Sequence, residues 1–142
     1  MDIRYLIYAW GSSILFFLYL YLSYLVIIQR RKFHVPYLTN DDKAFIARFR
    51  AHANFAEYVP FTLILMGISI LLQIPTLLLI ILMFSLIIAR LGHAYGLIKK
   101  EAKKQFKFRF FSVATTFIIM GILALFNLTI DDKLNFHLLG NK

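Results

Sequence analysis

The chain has 142 residues, of which 61% are hydrophobic and 16% charged, and its formal net charge is +9. Soluble domains average about 45–50% apolar and about 25% charged residues, and a chain this short cannot hide so large an apolar excess in its core. Soluble globular and disordered chains are therefore poor candidates, and the composition predicts a membrane protein. Because the chain contains no cysteine, disulfides, thiolate metal ligands and a cysteine nucleophile are excluded.

Four apolar runs follow one another along the chain, and each is long enough to cross a bilayer as a helix, which takes about 20 residues. They span residues 5–28, 54–73, 75–98 and 108–128. The first run is too long for a signal-peptide core and lacks a small-residue cleavage site, so we expect it to be a retained helix. We predict an all-α membrane protein in which residues 1–142 form a single domain, a bundle of four transmembrane helices.

The second and third helices are expected to form a tight antiparallel hairpin, because Gln73 to Pro75 leaves almost no loop. Thr39 followed by Asp42 resembles a capping box, so the second helix is expected to begin well before its apolar run. At about 1.5 Å per residue such a helix is longer than the hydrocarbon is thick. It is therefore expected to project from the membrane beside the first basic loop.

Basic residues are concentrated between the first and second helices and between the third and fourth. Twelve of the 16 lysines and arginines lie there, whereas acidic and basic residues balance on the other side. Membrane proteins keep such loops in the cytoplasm, so the sequence predicts cytoplasmic basic loops and external termini. Anionic lipid headgroups are the expected partners of these cations. Nucleic acid is a weaker interpretation, because flanking a membrane span already explains them.

Polar side chains enter the membrane on the second and third helices. Arg50, Asn54 and Glu57 recur at helical spacing, and Arg90 and His93 share a face of the third helix. Glu57 and Arg90 are expected at similar depth, and an unpaired charge there is costly. We therefore predict that they form an ion pair that roofs a cavity open to the cytoplasm. Such residues mark functional sites by default, with structural polar contacts as the alternative.

Two further patterns lie on the third and fourth helices. Small residues at Ser85, Ala89, Gly92 and Gly96 predict close helix contact and hint at oligomerisation. The fourth helix places an arginine on one face with two hydroxyl residues near the cytoplasmic boundary, namely Arg109, Ser112 and Thr116. An arginine at this depth is usually an interfacial anchor. The four histidines show no ligand spacing, so no metal site is expected.

The stretch RAHANFAE at residues 50–57, followed by Pro60 and Phe61, resembles the most recognisable stretch of the MAPEG family, the membrane-associated proteins in eicosanoid and glutathione metabolism. The RRK run at residues 30–32 and the ARLGH run at residues 89–93 are also similar to that family. The likeness covers about residues 5–128 and is strongest to the small bacterial members.

The resemblance implies a homotrimer in the bacterial inner membrane, with glutathione sites between neighbouring subunits that open to the cytoplasm. It implies a glutathione transferase or peroxidase acting on lipophilic electrophiles, with glutathione as co-substrate. Arg109 would stabilise the glutathione thiolate with Ser112 one turn away, and Arg90 would brace Glu57. The implied glutathione-binding residues are Arg30, Arg50, Asn54, Glu57, Arg90 and His93. Because glutathione supplies the sulfur and a guanidinium favours its thiolate, this chemistry needs no cysteine.

Two departures from the family pattern keep other functions open. Well-studied members carry a tyrosine where this chain has Leu97, and another where it has Val113. A non-catalytic membrane protein of the same fold, binding a lipid or small ligand in its intramembrane pocket, is therefore the alternative. A third hypothesis is a small transporter or proton pathway that uses Glu57, Arg90 and His93. The clustering of ionisable groups toward one side of the membrane disfavours it.

Overall fold

A computed structural model describes residues 2–35, 41–100 and 107–129. The described residues form four long α-helices, α1 (Ile3–Phe33), α2 (Lys43–Leu71), α3 (Thr76–Tyr95) and α4 (Lys107–Thr129), and α3 continues as a π-helical turn over Gly96–Lys100. Each helix is long and apolar enough to cross a membrane, counting α3 with this turn. The predicted fold class, an all-α membrane protein with four transmembrane helices, is confirmed.

Capping residues set the start of the first two helices. The Asp2 side chain accepts a hydrogen bond from the Arg4 backbone N–H at 2.9 Å. The Asp42 side chain accepts one from the Phe45 N–H at 2.7 Å. These carboxylates satisfy N–H groups that have no partner within the helix. The early start predicted for the second helix is confirmed, but Asp42 is itself the N-cap rather than the later member of a capping box that starts at Thr39, a residue outside the described ranges.

The connection between α2 and α3 is a tight turn, as predicted. Gln73 adopts a left-handed backbone with φ of 61°, and the Ile74 N–H donates to the Ser69 carbonyl at 2.9 Å. Arg4 reaches this turn from α1: its Nη1 donates to the Ile74 carbonyl at 3.2 Å, and its Nη2 also bonds the Gln73 side chain. We call this end of the bundle, formed by Asp2, Arg4 and the α2–α3 turn, the turn end.

The opposite end of the bundle carries the cations. It is formed by the C-terminus of α1, the N-termini of α2 and α4, and the Gly96–Lys100 turn. The last turn of α1 contains Arg30, Arg31 and Lys32, which interact favourably with the negative end of the helix dipole. Because the helices alternate in direction, both basic loops leave from this side, which we call the basic end.

The core is built from side chains that face inward along all four helices. Leu15, Leu22, Met66, Leu86 and Leu123 are each at most 1% exposed. Most large side chains on the outer surface are apolar, as a bundle surrounded by lipid requires. At Gly11 a Cβ would lie 2.5 Å from the Met83 Cγ. The Met83 side chain of α3 therefore packs directly over Gly11 of α1.

Small residues on α3 bring its backbone close to α4. A Cβ at Gly92 would lie 3.0 Å from the Ser112 Oγ, and one at Gly96 would lie 3.0 Å from the Phe108 Cβ. The close helix contact predicted from this pattern is confirmed. These two glycines face the fourth helix of the same chain.

Polar ties hold the helices together in the half of the bundle nearer the turn end. The Ser69 hydroxyl donates to Asn127 Oδ1 at 2.6 Å, and Asn127 Nδ2 donates to the Leu65 carbonyl at 3.1 Å. The Tyr8 hydroxyl donates to the Leu63 carbonyl at 3.1 Å. Both ties join α2 to another helix, α4 in the first case and α1 in the second.

Candidate functional site

A buried arginine lies where α2, α3 and α4 meet in the basic half of the bundle. Arg90 is 1% exposed. Its Nη1 donates to Asn54 Oδ1 at 3.2 Å, and its Nη2 donates to the Thr116 hydroxyl and, at 3.5 Å, to the Ser112 carbonyl. Its Nε is buried and has no hydrogen-bond partner among the described residues. Neutral oxygens from two helices therefore surround this guanidinium, and we call these four residues the Arg90 cluster.

The predicted ion pair between Glu57 and Arg90 is wrong. Both residues are described, and no salt bridge joins them. Glu57 is exposed and lines a groove between α1 and α2, whereas Asn54, one turn earlier, faces Arg90. The depth of each charge follows from its position along its helix, whereas the rotation of α2 about its axis follows from packing. Glu57 therefore does not roof a cavity together with Arg90. It lines the groove, which lies on the other side of α2 from Arg90.

The groove between α1 and α2 has a volume of about 430 Å³. Its lining residues are Ser23, Val26, Ile27, Arg30, Phe49, His52, Ala53, Ala56 and Glu57. Most of this wall is apolar, with an arginine, a histidine and a carboxylate set into it. The Arg30 Nε is buried without a hydrogen-bond partner among the described residues. His52, absent from the predicted site, stacks on Tyr19 with ring centroids 5.1 Å apart.

A second cavity continues from this groove toward the basic end. It has a volume of about 590 Å³ and shares Ile27 and Arg30 with the first. Its remaining lining residues are Arg31, His34 and Val35. The two cavities together run from apolar side chains within the bundle to the cationic end of α1. An amphipathic or anionic molecule matches this lining in polarity.

The structure divides the predicted site residues among three places. The Arg90 cluster contains Asn54, Arg90 and Ser112, and His93 is buried on α3 one turn from Arg90, at 3% exposed. The α1–α2 groove contains Arg30 and Glu57. Arg50 and Arg109 are exposed near the basic end. Within one chain these groups therefore do not converge on a single enclosed cavity.

Thr116 was predicted to lie on the face of α4 that carries Arg109 and Ser112, without a role in the site. The structure makes it a direct partner of Arg90. Its hydroxyl donates to the Ser112 carbonyl at 3.0 Å, so its lone pairs remain available to the guanidinium. The sequence indicates only that Ser112 and Thr116, four residues apart, share a face of α4. The structure adds that this face lies against the glycines of α3.

The resemblance implies a tyrosine at the position of Leu97, and the structure shows what lies there instead. Leu97 is 4% exposed and packs in the core. Tyr95, two residues earlier, is 48% exposed and packs edge-on against Phe108, with centroids 6.0 Å apart. Its ring therefore points away from the Arg90 cluster and cannot substitute for a tyrosine at the Leu97 position.

Four membrane-spanning helices, with a buried arginine and its polar partners in the basic half of the bundle, define an integral membrane protein with an intramembrane polar site. The model of the MAPEG family matches residues 8–129, and the chain belongs to that family. No curated protein sequence matches the chain. Membership confirms the resemblance seen in the stretch from Arg50 to Phe61. It fits a glutathione-related transferase or peroxidase kind of function in the membrane.

Proposed function

We propose that this protein is a glutathione-dependent transferase or peroxidase that acts on lipophilic electrophiles. The observation that carries the proposal is the MAPEG family match over residues 8–129. The Arg50–Asn54–Glu57 stretch lies inside that match, in the basic half of the bundle. It provides a cation, an amide held by a buried guanidinium and an exposed carboxylate.

The charges of these residues complement glutathione, which carries two carboxylates and one ammonium group. In the proposal, Arg30 and Arg50 bind carboxylates, since a guanidinium can hold a carboxylate through two parallel hydrogen bonds. Glu57 accepts from the ammonium group. The groove around Arg30 contributes apolar surface for the rest of the molecule, and His93 contributes a buried wall beside the Arg90 cluster.

Arg109 is the proposed stabiliser of the thiolate. It lies in the first turn of α4, where both its guanidinium and the positive end of the helix dipole favour an anion. Ser112 lies one turn further on, with its hydroxyl donating to the Phe108 carbonyl at 2.6 Å. In a transferase step the thiolate sulfur attacks an electrophilic carbon, and the electron pair of the broken bond leaves with the displaced group.

We also propose that the site is completed between copies of the chain in a homotrimer. Arg30 and the groove lie on one side of α2, while Asn54 faces the Arg90 cluster on the other. A glutathione molecule held between neighbouring subunits could contact the groove of one and the Arg50–Asn54 region of the next. The proposed setting is a bacterial inner membrane with the basic end in the cytoplasm.

A non-catalytic protein that binds a lipid or small ligand is the second candidate. Leu97 favours it, because an apolar side chain packed in the core replaces a tyrosine of well-studied members. The groove, with apolar walls leading to Arg30 and Arg31, also suits a lipid with an anionic headgroup.

Thermal unfolding in detergent separates these candidates. Glutathione is expected to raise the melting temperature, because a ligand that binds only the folded protein stabilises it by mass action. Glutathione should also be consumed in the presence of a chromogenic aromatic halide. An unchanged melting temperature at millimolar glutathione contradicts the enzyme proposal. A retained lipid in native mass spectrometry, without turnover, supports the second candidate.

A further inference from the structure

The Arg90 cluster controls the orientation of a side chain at the edge of the proposed site. We infer that Arg90 is a positioning residue that holds the Asn54 carboxamide with its oxygen toward the core and its NH₂ group toward the ligand. The site would then take a carbonyl or carboxylate oxygen at that point. The identity of the ligand rests on the proposed function, whereas the orientation of the amide does not.

The orientation follows from the chemistry of the two groups. A guanidinium has five N–H donors and no acceptor. The Asn54 atom that lies 3.2 Å from Arg90 Nη1 must therefore be the amide oxygen. Turning the amide over would bring its N–H groups against the guanidinium, leaving donors on both sides unsatisfied.

The guanidinium that imposes this orientation is itself held in place. Arg90 is 1% exposed, and on its α4 side it donates to the Thr116 hydroxyl and the Ser112 carbonyl. Thr116 cannot turn its proton toward Arg90 without losing its own bond to that carbonyl, at 3.0 Å. The arginine is therefore fixed from α4, and Asn54 is fixed by the arginine.

The Asn54 amide also carries an NH₂ group. Asn54 is half-buried, and no hydrogen bond among the described residues uses its Nδ2. Two N–H donors thus remain available on the side away from Arg90. The cationic charge behind the amide strengthens these donors and repels an ammonium group. This arrangement selects an oxygen acceptor, while the exposed Glu57 carboxylate one turn further on accepts from donors.

Asn54→Asp is the most discriminating test, because the inference predicts that it raises stability and lowers the affinity for glutathione. A carboxylate of the same shape would pair with a cation that is already desolvated, so the melting temperature without ligand should rise. The same change removes both N–H donors, so the dissociation constant for glutathione should increase at least about tenfold. A residue needed only for folding would move stability and affinity in the same direction.

Thr116 provides a second test without touching the ligand. Thr116→Val keeps the side-chain shape but removes the acceptor that holds Arg90, and it should weaken glutathione binding severalfold. Thr116→Ser keeps the hydroxyl and should restore the affinity. The matched control is Thr115→Val, because the Thr115 hydroxyl only donates to the Phe111 carbonyl of its own helix among the described residues, at 2.8 Å.

The outcomes separate this inference from the proposed function. If the unmodified protein binds no glutathione, the proposed function fails, and the melting temperature of Asn54→Asp still tests the contact between position 54 and Arg90. A melting temperature that falls in Asn54→Asp overturns the inference, whatever the protein binds. So does glutathione affinity that is equal in Asn54→Asp and the unmodified chain, or equal losses in Thr116→Val and Thr115→Val.

Discussion

The two ends of the bundle differ in how completely their polar groups are hydrogen-bonded. At the turn end, Arg4 pairs with Asp2 at 2.5 Å and also reaches the Gln73 side chain and the Ile74 carbonyl. In the basic half, the Nε atoms of Arg30 and Arg90 are buried without hydrogen-bond partners among the described residues. Buried polar groups are nearly always satisfied. The polar groups of the turn end are thus paired with one another, whereas the described residues of the basic half keep unpaired donors, as the proposed binding role there requires.

The largest effect should follow from changing the proposed catalytic arginine at the basic end. Arg109→Gln is expected to lower glutathione turnover by about a hundredfold or more, because removing one electrostatic contact to a developing anion costs that much in other enzymes. The melting temperature should change little, since Arg109 is exposed. Thiolate absorbance and turnover measure the effect. Lys107→Gln, a neighbouring exposed cation on α4, is the control, and an equal loss there would discard the role of Arg109.

A change in the half of the bundle nearer the turn end should do the opposite. Gly11→Val places a side chain against Met83, where a Cβ alone would lie 2.5 Å from the Cγ. Overpacking of this kind costs about 1–3 kcal/mol, so the unfolding temperature should fall while glutathione affinity is kept in the remaining folded protein. Gly121→Val is the matched control, because a Cβ there would point into space that no other helix among the described residues occupies.

A smaller loss of stability should follow from removing the tie between α2 and α4. Asn127→Leu abolishes the hydrogen bonds to Ser69 and to the Leu65 carbonyl. Hydrogen bonds between membrane helices contribute about 0.6 kcal/mol each on average. Chemical unfolding in detergent should therefore show a loss of about 1 kcal/mol, with unchanged affinity for glutathione. Weakened binding at full stability would contradict the division between the two ends.

The smallest effect concerns acid sensitivity at the turn end. The Arg4 guanidinium, by hydrogen bonding to the carboxylate, holds the pKa of Asp2 below its usual value of 3.8. The ionised form is therefore favoured by folding, and its contribution is present above about pH 4 and lost as the pH falls through the lowered pKa. The melting temperature of Asp2→Asn should depend less on pH below 4 than that of the unmodified chain. Identical profiles would mean that the pair contributes nothing.

Hydropathy and capping chemistry were sufficient to predict the fold. A membrane helix needs about 20 apolar residues wherever it occurs. The four apolar runs can therefore be recognised from the sequence without tertiary information. The early start of α2 and the short connection at Gln73 are equally local, because each depends on a few neighbouring residues. These features are encoded along the chain, and the structure reproduces them.

The pairing of the intramembrane charges could not be predicted in this way. Position along a helix follows from the rise per residue, but rotation about the axis follows from packing. Asn54 and Glu57 lie about 60° apart on α2, and burial of Phe55 and Val59 decides which of them faces α3. The role of Thr116 was hidden for a similar reason, since it depends on how closely α3 approaches α4 at Gly92.

The length of the first helix has a consequence for how reactants could meet. α1 has 31 residues, or about 46 Å of helix, against about 30 Å of hydrocarbon. An α1 that spans the membrane would therefore extend beyond the hydrocarbon, and the groove lined by Arg30 and the cavity lined by His34 lie toward its basic end. A water-soluble peptide could enter at one end and an oil-soluble compound from the side. Neither molecule would have to leave the solvent in which it dissolves.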